Sequence, residues 1–185
     1  MSFWNWRRGG ASAAGAAAAG AVLPELAPIE LYTADARIVG WIEAGGRRVT
    51  DLLNELDELR LWHPSPGPLQ ALSASATRDP GDWQVLPAAS VLLAMPPEWR
   101  ASRQLRLHRR LRRVGMVVGP FSVTGNLHLP PGIEPGVHVL RAHRFLPLTD
   151  AYLLHNGEPS FEHVVSVVIV NARQVEHIVP LVALA

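Results

Sequence analysis

The stretch VVGPFSVTGNLHLPPG, Val117 to Gly132, decides the fold. Val123, Gly125, Leu127 and Leu129 alternate with Thr124, Asn126 and His128, and that period of two turns one row of side chains inward and the other outward, as a β-strand does. Gly125 interrupts the run, and a residue without a side chain in mid-strand marks a bulge, a sharp bend or a close backbone approach. Pro130, Pro131 and Gly132 then supply a corner.

Working outward, YTADARIVGWIEAGG from Tyr32 reads the same way around Gly40, which lies 85 positions before Gly125. After each corner comes a second matching segment, LRLWHPSP from Leu59 and FLPLTDAYLL from Phe145. A third follows, WQVLPAASVLLAMPPEW from Trp83 and FEHVVSVVIVNARQVEHI from Phe161. The order is kept, although the spacing falls to 76 at Val91 and Val167, as a shorter loop in the second copy would make it. The pattern predicts a tandem repeat. VVSVVIV, Val164 to Val170, is β-branched almost throughout and is expected to be buried on both faces. VTDLLNELDEL sets Leu52, Leu53, Leu56 and Leu59 at helical spacing with Thr50 as N-cap, which predicts a short helix across one barrel end. GVHVLRAHRF occupies that place in the second copy. Residues 65–82, rich in Ser, Pro and Gly, form a long loop inserted into the first.

Short strands divided by Gly and Pro corners favour small barrels or sandwiches. The expected fold class is mostly β: two tandem small β-barrel repeats with one or two short helices and a flexible N-terminal tail. The expected divisions are a tail at 1–28, a first repeat at 29–100, an arginine-rich connector at 101–115 and a second repeat at 116–185. The segments VTGNLHLPPG, FLPLTDAYLL and VVIVNARQVEHIVPL resemble small SH3-like or Sm-like β-barrel domains of uncharacterised bacterial proteins, in which a final buried strand ends in an Asn-containing turn and re-enters as a short closing strand. The resemblance covers residues 116–181 and extends more loosely to the first half, where MPPEW stands against VNARQ. It implies a scaffold that binds proteins or nucleic acids, and it carries no catalytic signature.

Composition narrows the chemistry. The 185 residues are 48% hydrophobic, enough for a core, and the formal net charge of +1 gives no overall pull toward polyanions. All seventeen cations are arginine, so Schiff-base and P-loop lysine chemistry are excluded. Absence of cysteine excludes disulfides, thiolate metal sites and cysteine nucleophiles. The eight histidines include no pair at i, i+4 with an intervening Glu. No catalytic residue, metal, cofactor or small-molecule substrate is implied.

Two regions suggest partners. The N-terminus carries Phe3, Trp4, Trp6, Arg7 and Arg8 ahead of an Ala/Gly tether, Gly9 to Ala21, closed by Pro24 and Pro28. Trp and Arg concentrate binding energy at interfaces, and Trp also suits a membrane surface. The apolar part is too short to span a bilayer; Arg7-Arg8 leaves a twin-arginine signal as an alternative. PPEWRASRQLRLHRRLRRVG has the grammar of a helix, with Glu98 in its first turn, Gly115 as its stop and a stripe of Leu107, Leu111 and Val114. Arg103, Arg106, Arg109, Arg110 and Arg113 fall on the adjoining arc and are the candidate anion-binding residues. They suit pairing with Asp51, Glu55, Asp57 and Glu58, phosphate binding, or an anionic membrane. A strand with its arginines on an exposed sheet face is the alternative conformation.

The expected function is that of a non-catalytic structural or adaptor subunit, cytoplasmic, making contacts with a protein partner or with copies of itself in a larger assembly. Partner-facing residues are Phe3, Trp4, Trp6, Arg7, Arg8, Trp62 and Trp83, the last two flanking the long loop, with burial in the core as the alternative for that pair. The alternatives are a nucleic-acid-binding module using residues 103–113 and a peripheral membrane protein anchored by FWNWRR.

Overall fold

The computed structural model describes residues 26–67, 83–97 and 110–181, with the side chains of 63–67 outside the description. Phe3, Trp4, Trp6, Arg7, Arg8, Arg103, Arg106 and Arg109, and most of the long loop, therefore lie outside the described residues. The first half runs β1 (Leu26–Tyr32), β2 (Arg37–Glu43), α1 (Val49–Glu55), β3 (Glu58–Gly67), β4 (Trp83–Pro87), a 3-10 turn (Ala88–Ser90) and β5 (Leu93–Met95). The second runs β6 (Arg110–Val118), β7 (Phe121–Leu129), α2 (Val137–Ala142), β8 (Phe145–His155), β9 (Glu158–Asn171), a 3-10 turn (Ala172–Gln174) and β10 (Val175–Pro180).

The protein is mostly β, as its alternation predicts. The strands form one continuous antiparallel sheet in the order β10-β6-β7-β8-β9-β5-β1-β2-β3-β4. Separate closure of each half is not what the hydrogen bonding gives, because β5 pairs with β9 through Leu93↔Val170 and Ala94↔Ile169.

Strand register runs in parallel through the two halves. Tyr32↔Leu93 and Leu31↔Ala94 in β1 and β5 have counterparts in Val117↔His177 and Met116↔Ile178 in β6 and β10. Glu58↔Pro87 and Trp62↔Trp83 have counterparts in Phe145↔Asn171 and Thr149↔Val167. The Ala88 N–H donates to Asp57 O at 2.8 Å, and its counterpart Ala172 donates to Arg144 O at 2.7 Å. In this pairing pattern Val175, 84 positions on, holds the place that Val91 holds, whereas the sequence match sets Val91 against Val167. The match at Val167 follows β-branched composition, whereas the pairing aligns the two 3-10 turns.

Both mid-strand glycines mark irregularities. The register between β2 and β3 shifts from Val39 to Trp41, and that between β7 and β8 from Thr124 to Asn126. At Gly125 a Cβ would lie 2.9 Å from Leu148 Cβ and 3.3 Å from Thr149 O, so close backbone approach explains the residue there.

Two apolar clusters form the core, and each draws residues from both halves. One gathers Val114, Phe121, Leu127, Leu148, Leu153, Phe161 and Val168 with Tyr32, Leu92, Leu93 and Met95 from the first half. The other gathers Ile29, Leu31, Leu52, Leu53, Leu59 and Leu61 with Phe145, Val167 and Ile169 from the second. Burial of this mutual kind makes the join between halves part of the hydrophobic interior.

Several local expectations need correction. Residues 110–118 form a strand, so Gly115 sits within β6 and stops no helix; Val114, Met116 and Val118 are buried at a period of two, and pairing with β7 prevails over the helical stripe. Helix α1 is capped by Arg48 with no side-chain bond, and Thr50 lies buried inside it. In β9 only the end from Val167 onward is buried on both faces, because it alone lies between β8 and β5; Val164 is 80% exposed.

Candidate functional site: an indole face and the clamps of the join

Trp41 is directly opposite Trp62, and Trp62 directly opposite Trp83. Directly opposed residues share a face of a sheet, so the three indoles form a row across β2, β3 and β4. Leu59 and Leu61 point the other way, into the core, since successive strand residues alternate. The Trp62 and Trp83 rings lie 6.5 Å apart at a 35° tilt, and the Arg60 guanidinium stands 5.0 Å from the Trp83 ring centre. That distance suits a cation–π contact. Trp41 is 39% exposed and its two companions are half-buried, and none of the three belongs to a core cluster. The structure therefore brings Trp62 and Trp83 together on an outer face. Trp41 completes the row and was not legible in sequence, because its register depends on the irregularity at Gly40.

The face ends at the edge of the sheet, where β4 has no second strand partner among the described residues. Its counterparts in the second half are covered. Val167 corresponds to Trp83 and Ile169 to Val85, and both are buried in the first half's core.

Two asparagines clamp that covered join. The Asn54 carboxamide donates to Thr50 O at 2.8 Å and Phe145 O at 3.0 Å, while its oxygen accepts from the Arg144 and Phe145 N–H groups, both at 2.9 Å. Asn171 is buried; its side chain donates to Val91 O at 2.8 Å, and its own N–H donates to Leu92 O at 2.9 Å. Arg144 adds bonds to Leu56 O and Asp57 at 3.1 and 2.9 Å. A cleft of about 310 Å³ opens beside this join, with Arg48, Asp51, His128 and His143 around an apolar lining that includes Leu129 and Phe145.

Tyr32 links the join to a polar cluster. Its hydroxyl donates to Glu30, and the Arg37 Nε donates to the same carboxylate oxygen at 2.5 Å. Burial alone would push the Glu30 carboxyl up, but hydrogen bonds from Arg37 and then Tyr32, together with the charges of Arg37 and His163, outweigh it and hold it below its ordinary value of 4.5. Burial, then the bond to Glu30, raises the Tyr32 phenol. The sign for stability follows. Glu30 contributes fully above its unfolded value, and that contribution is lost as pH falls through its depressed folded value. Replacing Arg37 by Leu removes the largest cause that lowers the Glu30 carboxyl, so the variant is expected to be less stable at pH 7 and to close the gap to wild type as pH falls through 4.5 and below, where the wild-type contribution is lost. Urea unfolding across that range measures it, and parallel pH profiles for the two proteins would contradict it.

The basic stretch is partly committed to other groups. Arg112 pairs with Glu134 at 2.8 Å and Arg113 donates to Asp150 O at 2.8 Å, while Arg110 is exposed at the start of β6. Glu55 pairs with Arg47 and Asp57 with Arg144. Among the described residues no group of three or more His, Cys, Asp or Glu is placed to hold a metal, and no helix is long and apolar enough to cross a membrane. No protein-family model matches the chain, and no curated protein or solved structure shows significant similarity to it.

Proposed function

We propose that the chain is a structural or adaptor subunit, built from two copies of one five-stranded SH3-like or Sm-like unit, that makes protein–protein contacts through the face bearing Trp41, Trp62 and Trp83. The observation that carries this is the row of three indoles, flanked by Arg60 and exposed Val85, at the end of the sheet. Tryptophan and arginine are the side chains that concentrate binding energy at interfaces. The nucleic-acid-binding alternative draws on Arg103, Arg106, Arg109, Arg110 and Arg113, of which Arg110 is exposed and Arg113 donates to Asp150 O, the other three lying outside the described residues. The membrane alternative draws on the N-terminal peptide.

A photo-cross-linking residue placed at Val85 in living cells tests the proposal. Expected is a discrete protein adduct that disappears when Trp41 and Trp83 are both replaced by alanine, while the unfolding midpoint moves little because neither ring lies in a core cluster. Each indole at the centre of such a contact is worth about 2 kcal/mol, so the double variant should bind the identified protein at least 100-fold more weakly. Adducts to nucleic acid or lipid in place of protein, or undiminished affinity of the double variant, would refute it.

A further inference from the structure

Resting on the protein-contact reading above, we propose that one partner of the indole face is a second copy of the chain, joined head to tail. The outer face and edge of β4 in one copy would meet α2 and β10 of the next, repeating between chains the join that β9 makes with α1 and β5 within one.

Three pairs of counterparts carry the proposal. Ile169, at the inner join, is fully buried, whereas Val85, its counterpart on β4, is 55% exposed. Met95 on β5 packs into the second half's core at 8% exposure, whereas Val179, its counterpart on β10, is 52% exposed. Val49 at the start of α1 is fully buried, whereas Val137 at the start of α2 is 58% exposed. Both ends of the molecule thus keep apolar side chains where the inner join buries them, and at the β4 end Trp83 enlarges the patch that Val167 fills inside. A monomer gains nothing from large apolar groups held in water at matching positions.

Backbone geometry agrees. The Asn171 N–H points across to Leu92, so Ile169, two residues earlier, turns its backbone groups to the same side. Val85 presents the corresponding N–H and C=O on the outer edge of β4, which has no second strand partner among the described residues. The outer contact is nevertheless weaker by construction. Pro87 stands where Asn171 stands and has neither its N–H nor its carboxamide, and Ala142 stands where Asn54 stands. Glu176 and His177 replace Leu92 and Leu93. Association should therefore be reversible and concentration-dependent. A contact between unlike surfaces also propagates until a ring closes or a filament grows.

Sedimentation velocity on the full chain decides the matter. Wild type should shift from monomer to larger species as concentration rises through roughly the micromolar range expected of weak interfaces. Val85→Arg and Val179→Glu change exposed residues at opposite ends, and each alone should abolish self-association. Mixed in equal amounts they should form a dimer and nothing larger, because each supplies the end the other lacks. Pro87→Asn should strengthen association at least tenfold by restoring the missing donors. A mixture that stays monomeric, or a single variant that still self-associates, overturns the head-to-tail join. Wild type that is monomeric at every concentration also overturns it, while adducts from the Val85 cross-linker to a different protein would leave the protein-contact reading standing.

Discussion

Replacing Asn54 by alanine is expected to lower stability by about 3 kcal/mol, the cost of leaving buried backbone groups without partners, and the unfolding midpoint by roughly 6–12 °C. Alanine is the better helix former, so if α1 mattered only as a helix the change would raise stability by a few tenths of a kcal/mol. The sign of the effect therefore separates the two roles. The substitution strips the Arg144 and Phe145 N–H groups of their acceptor, and Thr50 O and Phe145 O of a donor. Asn54→Asp keeps the acceptor but loses both donated bonds, and it should also destabilise. Differential scanning calorimetry checks this; an Asn54→Ala protein as stable as wild type would show that the carboxamide does not hold the join.

Tyr32→Ala should cost about 3–5 kcal/mol, the range for deleting a buried aromatic ring. Tyr32 belongs to the first half by sequence but is fully buried in the second half's core, edge-on to Phe121 at 5.7 Å and Phe161 at 5.4 Å. Tyr32→Phe should cost only about 1 kcal/mol, because packing survives and one hydrogen bond to Glu30 is lost. Chemical denaturation of both variants gives the comparison. If the two cost the same, the hydroxyl and not the ring is what joins the halves.

Much of the fold is legible in the sequence where the signal is local. The alternation of Val123 through Leu129 gives β7, Leu52 and Leu53 give α1 while Leu56 stands at its C-cap and Leu59 falls in β3, and Gly40 and Gly125 mark two of the register shifts in the sheet. What sequence does not carry is the choice between two periods over a short run. Leu111 and Val114 suit a helical stripe, yet β7 offers a pairing partner and the segment becomes β6. Nor does it carry non-local polar geometry, since Asn54 is 90 positions from Arg144 and nothing near either residue announces the bond. The indole face lies between these cases. Trp62 and Trp83 flank the long loop and invite attention, whereas Trp41 joins them only through strand register.

Hydrogen exchange at two protein concentrations tests most directly the central claim, that one join is buried within the chain and its counterpart is left open at the two ends. The Ile169 and Asn171 amides should exchange slowly at both concentrations, because they lie inside the β5–β9 join. The Val85 amide and the outer amides of β10 should exchange quickly in dilute solution and slow several-fold in concentrated solution, with no change in β7 or β8. Fast exchange at Asn171, or exchange at Val85 and β10 that ignores concentration, would contradict it.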